Sequence, residues 1–196
     1  QANFDHLTKL TNRRQFERRL KGLIDSGDWD VSALFYLDLD QFKVVNDTCG
    51  HLAGDQLLIQ VAESLGAVLR TGDLIARIGG DEFAFISRIN TAEDAAAYAN
   101  NILSTVESMV FDWEGRTFPI SCSIGVVLLK DIEQSASTAL RYVDNSCYAA
   151  KDHGRNRWHL YEPEEGLIEQ REGEMNQLAQ INAALENDSF YSVFQI

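Results

Sequence analysis

The chain has 196 residues and a mass of 22.0 kDa, enough for one domain of ordinary size with some extra segment. A hydrophobic content of 45% with 10% aromatic residues supports a real core and excludes disorder for most of the chain. A net charge of -13 argues against a general binder of nucleic acid or anionic membrane, since either needs basic surface, but leaves room for small phosphorylated ligands held by a metal ion and a few local cations.

The start, QANFDHLTKLTNRR, is polar, and no signal peptide is expected in it. Phe16, Leu20, Leu23 and Ile24 then repeat at helical spacing, and SALFYLDLD is a short apolar run ending in carboxylates, which suits a buried strand. Leu57, Leu58, Val61, Leu65, Val68 and Leu69 form the stripe of a second helix. LIARI and FAFISRI are strand-like runs separated by Gly79-Gly80-Asp81-Glu82, which reads as a hairpin. Ala96, Ala99, Leu103, Val106 and Val110 predict another helix, and FDWEGRTF with ISCSIGVVLL a further antiparallel pair. Ala136, Ala139, Leu140, Val143, Cys147 and Ala150 mark a helix, and RWHLY a last strand. Adjacent hairpin strands mixed with helices predict an α+β fold, a sheet with helices packed on it.

The acidity is uneven. Glu162 to Ile196 hold eight acidic residues and one basic, a net charge of -7, while the body before them carries only -6. EPEEGLIEQREGE, 162–174, reads as an acidic linker, and 175–196 as a helix (Met175, Leu178, Asn182, Leu185) followed by a strand. Three cysteines (Cys49, Cys122, Cys147) with no CxxC pairing argue against a disulfide framework or a structural zinc site and fit a reducing cytosol. No apolar run reaches the about 20 residues that span a bilayer, so no membrane contact is expected from this segment, although a parent chain could be anchored elsewhere.

Two places carry chemistry. Asp38 and Asp40 end the first strand, two residues apart and so on one face, where they repel unless a cation such as Mg²⁺ sits between them. They serve equally as plain strand-end residues. The hairpin 79–82 places two glycines, which supply positive φ and let a phosphate approach the backbone, beside two acids. On its own this is as well an ordinary exposed turn.

LIARIGGDEFAFI, with the five-letter motif intact at Gly79 to Phe83, resembles the signature of the GGDEF family, the bacterial diguanylate cyclases. DHLTKLTNRR (Asp5 to Arg14), LDLDQFKVVND (Leu37 to Asp47), GHLAGD (Gly50 to Asp55) and AAKDHGRNR (Ala149 to Arg157) resemble further family blocks, so the likeness covers about residues 4–161. It implies a fold similar to the palm of nucleotide cyclases and polymerases, a mostly antiparallel central sheet flanked by helices. It also implies an activity: condensation of two GTP into cyclic di-GMP with release of two pyrophosphates.

Carried over by motif, Asp38, the carbonyl of Leu39 and Asp81 resemble the ligands of catalytic Mg²⁺ or Mn²⁺, with Glu82 the second acid of the site. Gly79 and Gly80 resemble the close-approach backbone; Lys43, Lys151 and Arg155 the triphosphate cations; Asn46 and Asp55 the guanine readers. Without the family, Asn46 and Asp55 read as helix caps, and Lys151 and Arg155 as a basic helix end. Arg70 and Asp73 resemble the family's RxxD site for inhibitory product, and otherwise read as a surface ion pair.

Since each domain would bind one GTP, the resemblance implies a second such domain facing the first, at least transiently, in a bacterial cytoplasm. LAQINAALENDSFYSVFQI resembles the opening of an EAL domain, the family that hydrolyses cyclic di-GMP, implying a tandem parent chain. The two function classes are therefore an active cyclase and a silent GTP- or cyclic di-GMP-binding module that regulates the EAL partner.

Overall fold

Asn12 opens the first helix: its side chain accepts the Gln15 amide at 3.0 Å, and Gly27, in the left-handed region at φ 82°, ends it. The structure, a computed structural model, describes residues 3–132 and 135–164. Residues 1–161 form one compact unit. Its elements are β1 (Thr11–Asn12), α1 (Arg13–Ser26), β2 (Ala33–Leu39), α2 (Phe42–Cys49), α3 (His51–Val68), β3 (Leu74–Gly79) and β4 (Glu82–Ser87), then α4 (Ala92–Glu107), β5 (Val110–Trp113), β6 (Arg116–Pro119), β7 (Cys122–Leu128), α5 (Ala136–Asp152) and β8 (Arg157–Leu160). The predicted tail elements at 175–196, and the linker beyond Glu164, lie outside the described residues.

The main sheet has the order β1-β3-β4-β2-β7-β8, antiparallel at its centre and parallel at both edges. This is the predicted α+β class, with helices on both faces. Alternation along β2 and β4 splits the core. Phe35, Leu37, Phe83 and Phe85 pack with α3 and α4, while Leu34, Tyr36, Ala84 and Ile86 pack with α1 and α5. Burial on both faces explains why β2 and β7 read as continuous apolar runs.

Gly125 of β7 is what lets α5 lie so close. A Cβ there would stand 2.1 Å from the Val143 carbonyl oxygen and 2.4 Å from the Cys147 nitrogen, both backbone atoms.

Two predicted elements differ from the structure. FDWEGRTF is not one strand paired with ISCSIGVVLL. It folds on itself as the β5–β6 hairpin, because Glu114 and Gly115 both take positive φ (48° and 79°), as a tight two-residue hairpin turn requires. The apolar run after it joins the main sheet instead as β7. The buried face of α4 is Ala95, Tyr98, Ala99, Ile102 and Val106; it shares Ala99 and Val106 with the predicted stripe but takes Ala95 and Ile102 in place of Ala96 and Leu103, and Val110 is exposed in β5. An alanine-rich helix has little apolar contrast, so Tyr98 and Ile102 set its orientation.

Candidate functional site

The centre of the site is the carboxyl end of β2. There Asp38 lies opposite Glu82 of β4 and Ser123 of β7 and is only 9% exposed. Its Oδ2 is 2.6 Å from Lys151 Nζ in the last turn of α5. Burial, with the charges of Asp81 and Glu82, pushes the Asp38 carboxyl up to about 6 against the pull of Lys151. Although burial alone would lower it, Lys151 is held above its ordinary value by its hydrogen bond and charge contact with Asp38. Lys151 is thus bound into the site rather than merely answering a helix dipole.

The turn between β3 and β4 is tied down from two sides. Leu39 N–H donates to the Asp81 carbonyl at 3.2 Å. Arg77 donates Nε and Nη2 to the Gly80 carbonyl at 3.0 and 2.9 Å, and Nη1 to Asp5 at 3.2 Å. Asp5 also accepts the Thr8 amide and hydroxyl, both at 2.8 Å. Burial would raise the Asp5 carboxyl, but Thr8 and Arg77 outweigh it and hold it below the usual range. The opening DHLT segment is therefore wired to the signature turn.

Only Gly80 of the two glycines sits at positive φ, 47°. Gly79 does not need a special backbone, contrary to the expectation that both serve the turn. A Cβ at either would meet nothing within 4 Å. The missing side chain at Gly79 leaves open space in front of the strand end, room for an outside group to reach the backbone.

Asp40 is surrounded by donors of its own. Asp40 accepts Ser121 Oγ at 2.8 Å, Ser123 Oγ at 2.7 Å and the Asn156 amide at 3.0 Å, so its charge is met by protein donors. It pins the loop that carries Arg155, whose backbone is left-handed at φ 60° and whose side chain is exposed. Among the described residues no three His, Cys, Asp or Glu side chains converge closely enough to hold a metal by themselves. What the site offers a cation is the charge of Asp38, Asp81 and Glu82 at one strand end, answered there by Lys151. That donor chemistry fits a hard divalent ion.

Lys43 and Asn46 lie three apart on α2, hence on one face, Lys43 exposed and Asn46 half-buried. Asn46 meets Gly54 of α3: a Cβ on Gly54 would fall 2.1 Å from Asn46 Oδ1. Gly54 therefore makes space for the Asn46 amide beside the exposed Asp55. Neither residue is a helix cap, because Gly50 stands at the start of α3 with no side-chain cap.

Arg70 and Asp73 sit in the turn after α3, a strand's length from Gly79. They form no ion pair: Asp73 Oδ2 takes the Arg70 amide at 2.8 Å and the Tyr98 hydroxyl, while the Arg70 guanidinium lies 4.8 Å from the centre of the Tyr98 ring. Sequence reasoning missed Asp5, Arg77, Gly54 and Tyr98. For Asp5 and Arg77 the signal, an Arg two residues before Gly79 and an Asp three before Thr8, is present in LIARIGGDEF and DHLT.

The family model for the diguanylate cyclase GGDEF domain matches residues 2–157. The probable diguanylate cyclase DgcE of Escherichia coli is 38% identical over 177 residues, 89% of this chain and 16% of DgcE. The cyclic di-GMP phosphodiesterase PdeB of Shewanella oneidensis is 34% identical over 194 residues, 99% of this chain and 22% of PdeB. The chain thus spans under a quarter of these two relatives. Among solved structures, the GGDEF domain of DgcB from Caulobacter crescentus in complex with c-di-GMP matches with a TM-score of 0.74 and 31% identity, covering 82% of this chain and 96% of that one.

Proposed function

Because the chain belongs to the diguanylate cyclase GGDEF-domain family, we propose that it condenses two GTP into cyclic di-GMP. One observation carries the reading: an intact signature turn, with open space at Gly79 and Gly80, stands beside the buried Asp38 and its half-buried partner Lys151. In the proposed reaction a 3′-oxygen bonds to an α-phosphorus, the bond to the leaving pyrophosphate breaks, and the hydroxyl proton leaves to base or water. Lys151, Arg155 and Lys43 hold the triphosphate and its developing charge, Arg through a planar fork and Lys as a point charge. The backbone at 79–80 approaches the phosphates closely. Asn46 and Asp55 read guanine, Asp55 accepting its N1–H and N2–H, a donor pair that adenine lacks.

Asp38, Asp81 and the Leu39 carbonyl, supported by Glu82, are the residues that would hold Mg²⁺ or Mn²⁺, which supplies charge neutralisation on the phosphoryl oxygens and pyrophosphate. Arg70 and Asp73 take the product as inhibitor. Because one domain binds one GTP, two domains must face each other for each 3′-hydroxyl to meet the other's α-phosphate. The tail's resemblance to the opening of an EAL domain supports a tandem parent chain, and use of GTP fits a bacterial cytoplasm. Among the described residues no helix is long and apolar enough to cross a membrane.

A second reading, a silent GTP- or cyclic di-GMP-binding module of a tandem phosphodiesterase, draws on the match to PdeB, which runs over 99% of this chain. Incubation with GTP and Mg²⁺ at high protein concentration, followed by chromatography, separates the two. Cyclic di-GMP formed by the native chain and absent with Asp81→Ala supports the cyclase. GTP binding without product supports the module.

A further inference from the structure

The Arg70–Asp73 turn has a third member that its sequence pattern does not name. Tyr98 lies in mid-α4, 3% exposed, with its ring edge-on to Phe35 (5.4 Å) and Phe85 (6.1 Å), which stack on each other at 4.9 Å. Those two rings belong to β2 and β4, so Tyr98 is anchored to the rigid centre of the sheet. Its hydroxyl emerges at the turn and donates to Asp73 Oδ2, the oxygen that also receives the Arg70 amide at 2.8 Å. The ring face supports the Arg70 guanidinium at 4.8 Å. Burial first, and then the Asp73 carboxylate, push the phenol up from its ordinary value, so it remains a proton donor.

These contacts have a directional consequence. Two donors occupy Oδ2 and fix the carboxylate plane, while Asp73 Oδ1 has no hydrogen-bond partner among the described residues. The guanidinium lies over the Tyr98 ring and makes no ion pair with Asp73, which would have consumed both groups. A fixed acceptor next to an N–H fork matches two adjoining edges of one guanine: N1–H and N2–H to the carboxylate, O6 and N7 to the guanidinium.

We propose that Tyr98 is a positioning residue of the product site, holding Asp73 and Arg70 apart from each other and presenting both to a guanine of cyclic di-GMP. This rests on the reading of Arg70 and Asp73 as the product-binding pair. Preorganisation on the sheet reduces the side-chain freedom lost when the ligand binds.

Tyr98→Phe keeps the ring, its packing and its support of Arg70, and removes only the hydroxyl. Calorimetry on the full chain with cyclic di-GMP and, separately, GTP, beside a thermal melt, reads the effect. The expected result is product affinity weakened about tenfold, the size of one hydrogen bond to a charged group, with GTP affinity unchanged. Unchanged product affinity, or equal losses for both nucleotides as general loosening would give, overturns the proposal. Arg70→Ala is the second variant. If it binds product as the native chain does, or if the native chain binds none, the reading of the pair fails and this inference with it. If Arg70→Ala loses product while Tyr98→Phe does not, only the role of Tyr98 falls.

Discussion

Gly125→Ala places a methyl group where β7 and α5 touch. Its carbon would lie 2.1 Å from the Val143 carbonyl oxygen, 2.4 Å from the Cys147 nitrogen and 3.1 Å from the Cys147 Cα. All three are backbone atoms, so no side chain can swing away, and restoring ordinary contact requires α5 to retreat by roughly 1 Å. Overpacking of this kind costs about 1–3 kcal/mol, offset by about 0.4–1 kcal/mol from the smaller entropy of the unfolded alanine chain. The net loss of about 1–2 kcal/mol lowers the melting temperature by about 2–8 °C for a domain of this size. Lys151 lies one helical turn beyond Cys147, and its 2.6 Å contact with Asp38 does not survive such a retreat unless the lysine stretches after it. Turnover of GTP should therefore fall by far more than stability, on the order of a hundredfold. Gly66→Ala is the control: it sits in α3 with nothing within 4 Å of the new carbon and should melt at or slightly above the native temperature. A native melting temperature for Gly125→Ala would refute the packing argument, and native activity at a lowered melting temperature would refute its link to Lys151.

Gly79→Ala should behave in the opposite way, with stability within about 0.5 kcal/mol of native because its methyl group meets no protein atom, but GTP affinity strongly reduced in calorimetry. Gly54→Ala should lower the melt only slightly, since the Asn46 side chain can turn aside and the Phe42 ring, at 3.0 Å, need give only a few tenths of an ångström, while raising the KM for GTP several-fold and narrowing the preference over ATP. Asp5→Asn should cost about 1 kcal/mol at pH 7 in urea unfolding. The Asp5 carboxyl is depressed in the folded state, so its contribution is complete above its unfolded value near 3.8 and is lost as pH falls through the lower folded value; native and variant curves should converge there. Chelation of divalent ions should abolish turnover and Mg²⁺ should restore it, measured by pyrophosphate release.

The sheet and most helices were legible because their signals are local. A two-residue turn between apolar runs fixed the β3–β4 hairpin, and stripes such as Leu57, Leu58, Val61 and Leu65 fixed α3. The site residues were legible through motif spacing, yet what holds them was not. Arg77 meets Asp5 across 72 positions of sequence, and Asp40 meets Ser121, Ser123 and Asn156 through folding of the whole sheet. No periodicity reports such partners, nor the protein donors that surround Asp40. Tyr98 was hidden differently: in a run of alanines the hydrophobic pattern is nearly flat, so the helix face is decided by the one large ring that needs both a core and a hydroxyl partner.

The central claim is that this acidic chain carries a working site for joining two GTP molecules. It is tested most directly by ³¹P NMR of GTP with Mg²⁺ and the native chain at high concentration. The account predicts that triphosphate signals give way to pyrophosphate and to the phosphodiester of cyclic di-GMP, with two pyrophosphates per cyclic dinucleotide and no change with Asp81→Ala. Triphosphate signals that persist, or that give only GDP and inorganic phosphate, would contradict it.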